Sequence, residues 1–531
     1  VCQLAPASIY NFLERENMET TSLPGADNLG RPPEHIRWIG VPTRNRPESL
    51  RTCLQSFGEC VNKHDRNVRF LVCDQTDEQS QLEVNRQGIS QIVSALNVEA
   101  WFAGRSEIRQ FVTALSEYAK LPADLVTFAC CGDPRFPVNT GANRNTLLLA
   151  TAGEMMLQVD DDTICQVQPG PEVAEGLKLS SELFCMEHWF PSAIESLDRP
   201  YGPGNFDICA LHEELLGRTL SECIAAYGPP VSKSNNWAEI LCAPTPSTQI
   251  SVLATSIGVS GDSQVPTNVY LLNSIGAQRE RLIESEGSYR RSLGESQIET
   301  AVRQRTISDR GLVSGSNFAV DNRVLLPPFS PVQRCQDSVF AALLNACFNG
   351  CVGYLPWMIK HKRPERRICS SETTSRRSHL LSGDLLCFMI RRLATELTAT
   401  TPAAKLTQLG KLFIDWSSVP APKFQEMLRG LIVRKTTLDI AHFDALLKNY
   451  DEKPDFWAAD LKLYRSWIRK TITDPELDVT DDLIDAVGTT EARAMFQQMV
   501  CKFGQLLEIW PDIHRAAAEL HAQGVRVGTK L

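Results

Sequence analysis

Asp160, Asp161 and Asp162 stand side by side after a short apolar run from Glu154 to Val159, and Thr163 follows them directly. Three adjacent carboxylates repel one another, so the run calls for a positive group, most simply a hard divalent cation that also bridges to a phosphate. Oxygen ligands at about 2.0–2.1 Å are what a magnesium ion takes, with water and phosphate completing the octahedron. Two acids one residue apart reach a single ion only where the backbone turns between them, and a strand end supplies that turn. Taken alone, the cluster is equally compatible with calcium binding or with a solvated turn.

The elements that must hold this run read as a parallel α/β arrangement. Ile36 to Val41 predicts a buried strand ending at Pro42. After Pro47, a favoured first helical residue, Leu50, Cys53, Leu54 and Phe57 recur at i, i+3, i+4 and i+7 and predict a helix with one buried face. Val68 to Cys73 predicts a second strand, closed by Asp74-Gln75-Thr76-Asp77, and Ile89, Ile92, Val93 and Leu96 predict a second helix. Thr140-Gly141-Ala142-Asn143-Arg144-Asn145 leads into a helix over Thr146 to Ala152 and then into the strand that delivers the acids. Strand, helix, strand, helix with short connections implies a parallel sheet. Ligands of such sheets collect beyond the carboxyl ends of the strands, which puts Pro42, Thr43, Arg44, Asp74 and the Asp160 cluster on one edge.

At 531 residues the chain suits two or three domains. A net charge of -9 argues against a nucleic-acid partner, whose phosphates require a basic surface. The 17 cysteines are odd in number and lack any Cys-x-x-Cys pair, which fits reduced thiols in a cytoplasmic protein. Ser338 to Ile359 is uncharged over a length that could cross a bilayer, but Asn345, Asn349, Gly350, Gly353 and Pro356 break it into a helix and a strand, so no membrane span is expected. Beyond His379, amphipathic patterns such as Leu385 to Leu397, Phe424 to Val433 and Ala494 to Ile509 predict a separate all-helical domain, through which the chain could form a homo-oligomer. The expected divisions are an extension over 1–33, a donor half over 34–165, an acceptor half with an insertion and a basic loop over 166–378, and the helical domain over 379–531.

The series Gly40-Val41-Pro42-Thr43-Arg44-Asn45-Arg46, Val72-Cys73-Asp74, Gly141-Ala142-Asn143-Arg144-Asn145 and Gly153-Glu154 with Asp160-Asp161-Asp162 resembles the GT-A fold glycosyltransferases, especially the family 2 type. The resemblance covers about residues 34–165 and 311–362. It implies a Rossmann-like, mostly parallel sheet that binds a UDP- or GDP-sugar. By that resemblance Pro42, Thr43 and Arg44 contact the base or ribose, and Asp74 accepts a hydrogen bond from either. Asn143 and Arg144 lie near the donor, with Arg144 holding Asp160 or the sugar. Asp160 and Asp162 match the outer acids of the Asp-x-Asp motif, which holds Mg²⁺ or Mn²⁺ on the diphosphate, while Asp161 faces ribose or solvent. Arg334-Cys335-Gln336-Asp337 resembles the family's Glu-Asp acceptor motif with Gln336 in place of Glu, so Asp337 is the candidate general base of an inverting single displacement. His361, after Leu355-Pro356-Trp357, is the candidate third metal ligand, and Gln336 and Trp357 mark the acceptor region. Lys362, Arg363, Arg366 and Arg367 read as a basic loop that closes over the diphosphate. The acceptor is a peptide, a glycan or a small molecule.

Other classes fit less well. A phosphatase loop of the form Asp-x-Asp-x-Thr fails by one position at Thr163. Leu211-His212-Glu213-Glu214 lacks the second histidine of a zinc protease. A nucleotidyltransferase on a related fold and a degenerate donor-binding scaffold remain the alternatives, although no Gly-rich phosphate loop follows the first strand.

Overall fold

The computed structural model describes residues 35–190, 205–232, 237, 250–263, 268–348, 350–363, 380–474 and 478–531. Within them the strands are β1 (Trp38–Thr43), β2 (Arg69–Asp74), β3 (Glu99–Ala103), β4 (Met155–Val159), β5 (Thr163–Pro169), β6 (Leu177–Ser180) and β7 (Glu187–Trp189). They continue as β8 (Val231–Ser232), β9 (Ser251–Asp262), β10 (Gln297–Ala301), β11 (Arg305–Ser308), β12 (Asn317–Asp321), β13 (Gly350–His361) and β14 (Thr529–Lys530). All join one mixed sheet, whose main path runs β14-β3-β2-β1-β4-β12-β9-β13-β11-β6-β8.

The expected alternation of strands and helices builds the parallel run β3-β2-β1-β4. β12 then runs antiparallel to both β4 and β9. Successive strands step outward from β1 to β3, and the chain then returns to place β4 on the other side of β1. The strand order therefore reverses between β1 and β4, and the carboxyl ends flanking such a reversal are where an open α/β sheet forms its crevice.

Helix Thr140–Ala150 runs beneath these strands and is buried from Gly141 onward. Its entry needs a residue without a side chain: a Cβ on Gly141 would lie 1.7 Å from the carbonyl oxygen of Ser330. The uncharged stretch at Ser338 to Ile359 resolves into helix Gln336–Cys347 and β13, and no described helix is long and apolar enough to cross a membrane. The 14 cysteines among the described residues are all free.

The helical region is not the separate body that its sequence pattern predicts. Helix Thr489–Ala522 packs on Pro402–Ser417 on one side and on Arg105–Ala119, Ala123–Cys131 and Thr140–Ala150 on the other. One hydrophobic core runs from Trp38 and Leu147 through Phe329 and Phe340 to Phe413, Phe503 and Trp510. Polar contacts cross the same boundary, with Trp510 Nε1 donating to the Leu326 carbonyl at 2.7 Å and His521 Nε2 lying 3.0 Å from Glu154 Oε2. β14 then pairs antiparallel with β3, adding a strand that the helical pattern did not suggest. Another, smaller core joins residues around Leu272, Leu282 and Tyr289 to the helices Ala421–Asn449 and Asp455–Thr473.

Close helix packing makes the shared core testable. A Cβ on Gly504 would lie 2.8 Å from the Gly410 carbonyl oxygen and 2.8 Å from Phe413 Cβ. Gly504→Ala is expected to cost about 1–3 kcal/mol through overpacking. Urea unfolding followed by tryptophan fluorescence and by far-UV circular dichroism should move as one coincident transition. Two separated transitions, with only one shifted, would show that the helical region folds by itself.

Candidate functional site

β4 stops at Val159, and a tight turn closed by Thr163 N–H donating to the Asp160 carbonyl at 3.0 Å carries all three acids before β5 begins. This is the backbone turn that the acid spacing requires. The turn is pinned to the segment before β12: Asp160 N–H and Thr163 Oγ1 both donate to the Ser316 carbonyl, at 3.1 and 3.0 Å.

Each acid meets a different set of partners, with Arg46 shared by two of them. Asp160 Oδ1 accepts from Arg144 Nη2 at 2.6 Å, and the same guanidinium donates to Gln158 Oε1 at 2.5 Å and to the Gly315 carbonyl at 3.1 Å. Arg144 is 1% exposed, so of the two roles expected for it the structure displays the grip on Asp160. Asp161 is buried and accepts from Thr43 Oγ1 at 2.6 Å and from Arg46 Nη1 at 3.1 Å. Asp161 therefore does not face open solvent, and the turn points its carboxylate at the end of β1. Asp162 takes Arg46 Nη1 on Oδ2 at 2.9 Å and faces His361 Nε2 with Oδ1 at 3.0 Å. His361, the last residue of β13, donates from Nδ1 to the Asp262 carbonyl at 3.0 Å.

The electrostatics separate these groups. Burial pushes Asp161 up to about 7, and Asp162 and Asp160 add repulsion that Arg46 and Thr43 only partly offset. Burial also opposes ionisation of Asp162, yet the hydrogen bond and charge of His361, with Arg46 and Arg363, hold it down at about 2. His361 is raised in turn: burial disfavours its charge, but Asp162 outweighs that. Asp160 is raised by burial, with Arg144 pulling the other way.

Asp337 sits in the first turn of helix Gln336–Cys347. Its Oδ2 accepts from Gly315 N–H at 3.2 Å and its Oδ1 from Ser338 N–H at 2.9 Å. A Cβ on Gly315 would lie 2.8 Å from Arg144 Nη2 and 3.4 Å from Asp337 Oδ2. The missing side chain leaves room for both groups beside Gly315, whose carbonyl accepts from Arg144 and whose N–H donates to Asp337. Gln336 packs beside Gly141, where a Cβ would lie 3.2 Å from Gln336 Cβ.

Other expected residues shape the edge. Pro42 pairs with Cys73 across β1 and β2. Arg44 reaches sideways to Asp77 at 2.9 Å on the exposed rim, where Asp77 also takes Arg105. Asp74 is fully buried, with Oδ1 accepting from Thr76 N–H at 2.8 Å and Oδ2 from Asn85 Nδ2 at 2.7 Å, so its carboxylate organises the loop after β2. Asn143 Nδ2 donates to the Cys73 and Thr43 carbonyls at 2.8 and 3.3 Å and ties the ends of β2 and β1 together, leaving a buried Oδ1 without a partner. Trp357 meets Phe206 with the rings tilted by 55° and centroids 4.7 Å apart, and packs against the core that includes Val41 and Phe57. Lys362 N–H donates to the Asp162 carbonyl at 2.9 Å, and Arg363 Nε lies 3.7 Å from Asp162 Oδ2 and 3.6 Å from Asp262 Oδ1. Arg366 and Arg367 lie outside the described residues.

Sequence reasoning missed two participants. Arg46 lies inside the motif 40–46 but carried no assigned role, although a cation directly before a helix-starting proline and opposite three acids was a usable signal. Asp262 orients His361 through its backbone carbonyl, and a backbone contact has no side-chain signature to find.

A divalent ion fits part of this arrangement. Asp162 Oδ1 and His361 Nε2 stand 3.0 Å apart, and adjacent donors of an octahedral ion with bonds of about 2.1 Å are about 3 Å apart. The imidazole is fixed by its other nitrogen, as metal-binding histidines usually are. Among the described residues no group of three or more His, Cys, Asp or Glu side chains is placed to hold a metal ion, because the Asp160 carboxylate is turned to Arg144. One or two protein donors completed by phosphate oxygens and water is nevertheless the usual coordination of magnesium.

The fold and site define an α/β protein with a mixed sheet, part of it a parallel run, a helical C-terminal region, and a carboxylate-rich turn at the strand-order reversal. No protein-family model matches the chain, and no curated protein matches it in sequence.

A pH dependence follows for the ion-free protein. Folded Asp161 keeps its proton up to about 7, whereas an unfolded aspartate loses it near ~3.9. The folded state therefore binds more protons between these values, and this group's contribution to stability falls as pH rises through that window. The raised His361 acts in the same sense, losing its contribution as pH climbs through its folded value. Asp161→Asn should melt higher than wild type in EDTA, with the gap in melting temperature widening from pH 5 to pH 8. A gap that is constant or narrows with pH would refute the raised Asp161.

Proposed function

We propose that this chain is a metal-dependent glycosyltransferase of the GT-A type. It would move a sugar from a UDP- or GDP-sugar to an acceptor hydroxyl or other nucleophile of a peptide, a glycan or a small molecule. The observation that carries the reading is the meeting, at the strand-order reversal, of the acid turn with His361 on one side and with Asp337 on the other. Arg144 and Gly315 connect the two halves.

The chemistry divides between them. Asp337 has each oxygen fixed by a backbone N–H, and each keeps lone pairs to accept a further proton. A carboxylate so held accepts the proton of an acceptor hydroxyl as that oxygen attacks the sugar's anomeric carbon. The bond from that carbon to the phosphate oxygen breaks in the same step, with inversion, and the nucleoside diphosphate leaves. Asp162 and His361 are the residues that would hold Mg²⁺ or Mn²⁺, and a divalent ion there supplies the counter-charge for the departing diphosphate. Asp160 is kept in place by Arg144, and Thr43 anchors Asp161.

Two measurements test the assignment. Asp337→Asn should lower transfer about 10²–10⁴-fold, the usual contribution of a general base, while leaving binding of UDP- or GDP-sugar within about twofold of wild type on the same grounds. Equal turnover in that variant would exclude single displacement through Asp337. In a thermal-shift screen, nucleotide-sugars should raise the melting temperature only with Mg²⁺ or Mn²⁺ present. No shift with any of them would instead favour a scaffold that has lost the donor site.

A further inference from the structure

Arg46 joins β1 to helix Pro47–Lys63, at the strand-order reversal. Its Nη1 alone serves two carboxylates, Asp161 Oδ1 at 3.1 Å and Asp162 Oδ2 at 2.9 Å. Those side chains are 6% and 2% exposed, but Arg46 is 41% exposed, so the guanidinium covers the turn from the solvent side. It has no other hydrogen-bond partner among the described residues. A guanidinium carries five N–H donors in a rigid fork, so most of its donor capacity faces outward.

The other cations of the turn are differently placed. Arg144 is locked by three partners at 1% exposure, and His361 is locked by Asp262 at 2% exposure. Arg363 Nε stands 3.7 Å from Asp162 Oδ2, with its side chain 22% exposed. Arg46 is the most exposed of the four and meets both acids through a single nitrogen. A cation seated between Asp162 Oδ1 and His361 Nε2 would share one carboxylate with Arg46, and like charges across a carboxylate's width repel. Such a cation would weaken the hold of Arg46 on Asp162.

We infer that Arg46 is a displaceable counter-ion. It neutralises the acid turn before an ion binds, gives up Asp162 to the divalent cation, and remains tethered by Asp161. Its freed N–H groups then meet the diphosphate that the cation brings, in the bidentate geometry guanidinium and phosphate favour. Ion and donor would in this way bind in order, each completing the other's site. The inference rests on the metal–diphosphate reading of this crevice.

The test uses the full chain, with Mn²⁺ alone as the first probe, followed by electron paramagnetic resonance of free Mn²⁺ and by calorimetry. Arg46→Gln should bind Mn²⁺ about tenfold more tightly than wild type, because a competing charge is gone. With Mn²⁺ saturating, the same variant should bind UDP or GDP about tenfold more weakly. Arg46→Lys keeps the charge and loses the fork, so it should hold Mn²⁺ within about threefold of wild type yet share the weakened diphosphate binding; it also serves if the Gln variant fails to fold. Equal Mn²⁺ affinity in wild type and Arg46→Gln, with Asp162→Asn abolishing it in both, overturns the counter-ion and leaves the metal site standing. No Mn²⁺ binding by any of the proteins overturns both.

Discussion

Keeping three adjacent carboxylates at the buried end of one strand is the constraint from which the rest of this structure follows. Ions taken out of water lose several kcal/mol of solvation each, and only close, well-oriented partners offset that loss. Here the carboxylates' partners come from three separate places: Thr43 and Arg46 at the end of β1, Arg144 on the helix before β4, and His361 at the end of β13, while the carbonyls of residues 315 and 316 before β12 hold Arg144 and the backbone of the turn. Those elements can reach one point only if β1, β4 and β13 end, and β12 begins, in the same region of the sheet. The order of strands, including the antiparallel insertion of β12 next to β4, is what satisfies that requirement.

The same demand explains why the layer behind the site is so thoroughly packed. Arg144 can hold Asp160 only if helix Thr140–Ala150 does not shift, and that helix is enclosed by the sheet on one face and by Thr489–Ala522 on the other. Asn145 fastens it further, donating to the Ala129 and Phe329 carbonyls at 3.1 and 3.0 Å. The C-terminal helices thus act as the rear wall of the crevice, and rigidity there is transmitted forward through close-packed side chains.

How much of this was legible in the sequence depended on the range of the interaction. Local signals read well: the apolar run into Asp160 and the Pro47 helix start both reflect contacts within or next to one element, whereas the helix expected over Thr146 to Ala152 spans Thr140–Ala150, its entry set by the distant Ser330 carbonyl. The helix-then-strand reading of Ser338 to Ile359 matches helix Gln336–Cys347 and β13, although Gly353 and Pro356 lie within that strand. Long-range choices were another matter. The amphipathic spacing of Ala494 to Ile509 says that one face is buried, yet nothing in a 3.6-residue period names the surfaces that bury it, which include Thr140–Ala150, more than three hundred residues earlier, besides Pro402–Ser417. Trp357 carried the same ambiguity, since a tryptophan suits a sugar as well as a core, and in the structure it lies against Phe206. Asp162 and His361 were legible as types, but their pairing required the register of β13 against β5 and β9.

The pairing of residues 529–530 with 101–102 has a consequence for how the chain is made. During synthesis β3 is made more than four hundred residues before the strand that caps its edge. Until that strand arrives, the parallel run β3-β2-β1-β4 carries an uncovered edge, a template on which another chain can pair. The nascent protein has to be kept apart from its neighbours until residues 529–530 arrive, so folding here is a problem of timing as much as of stability.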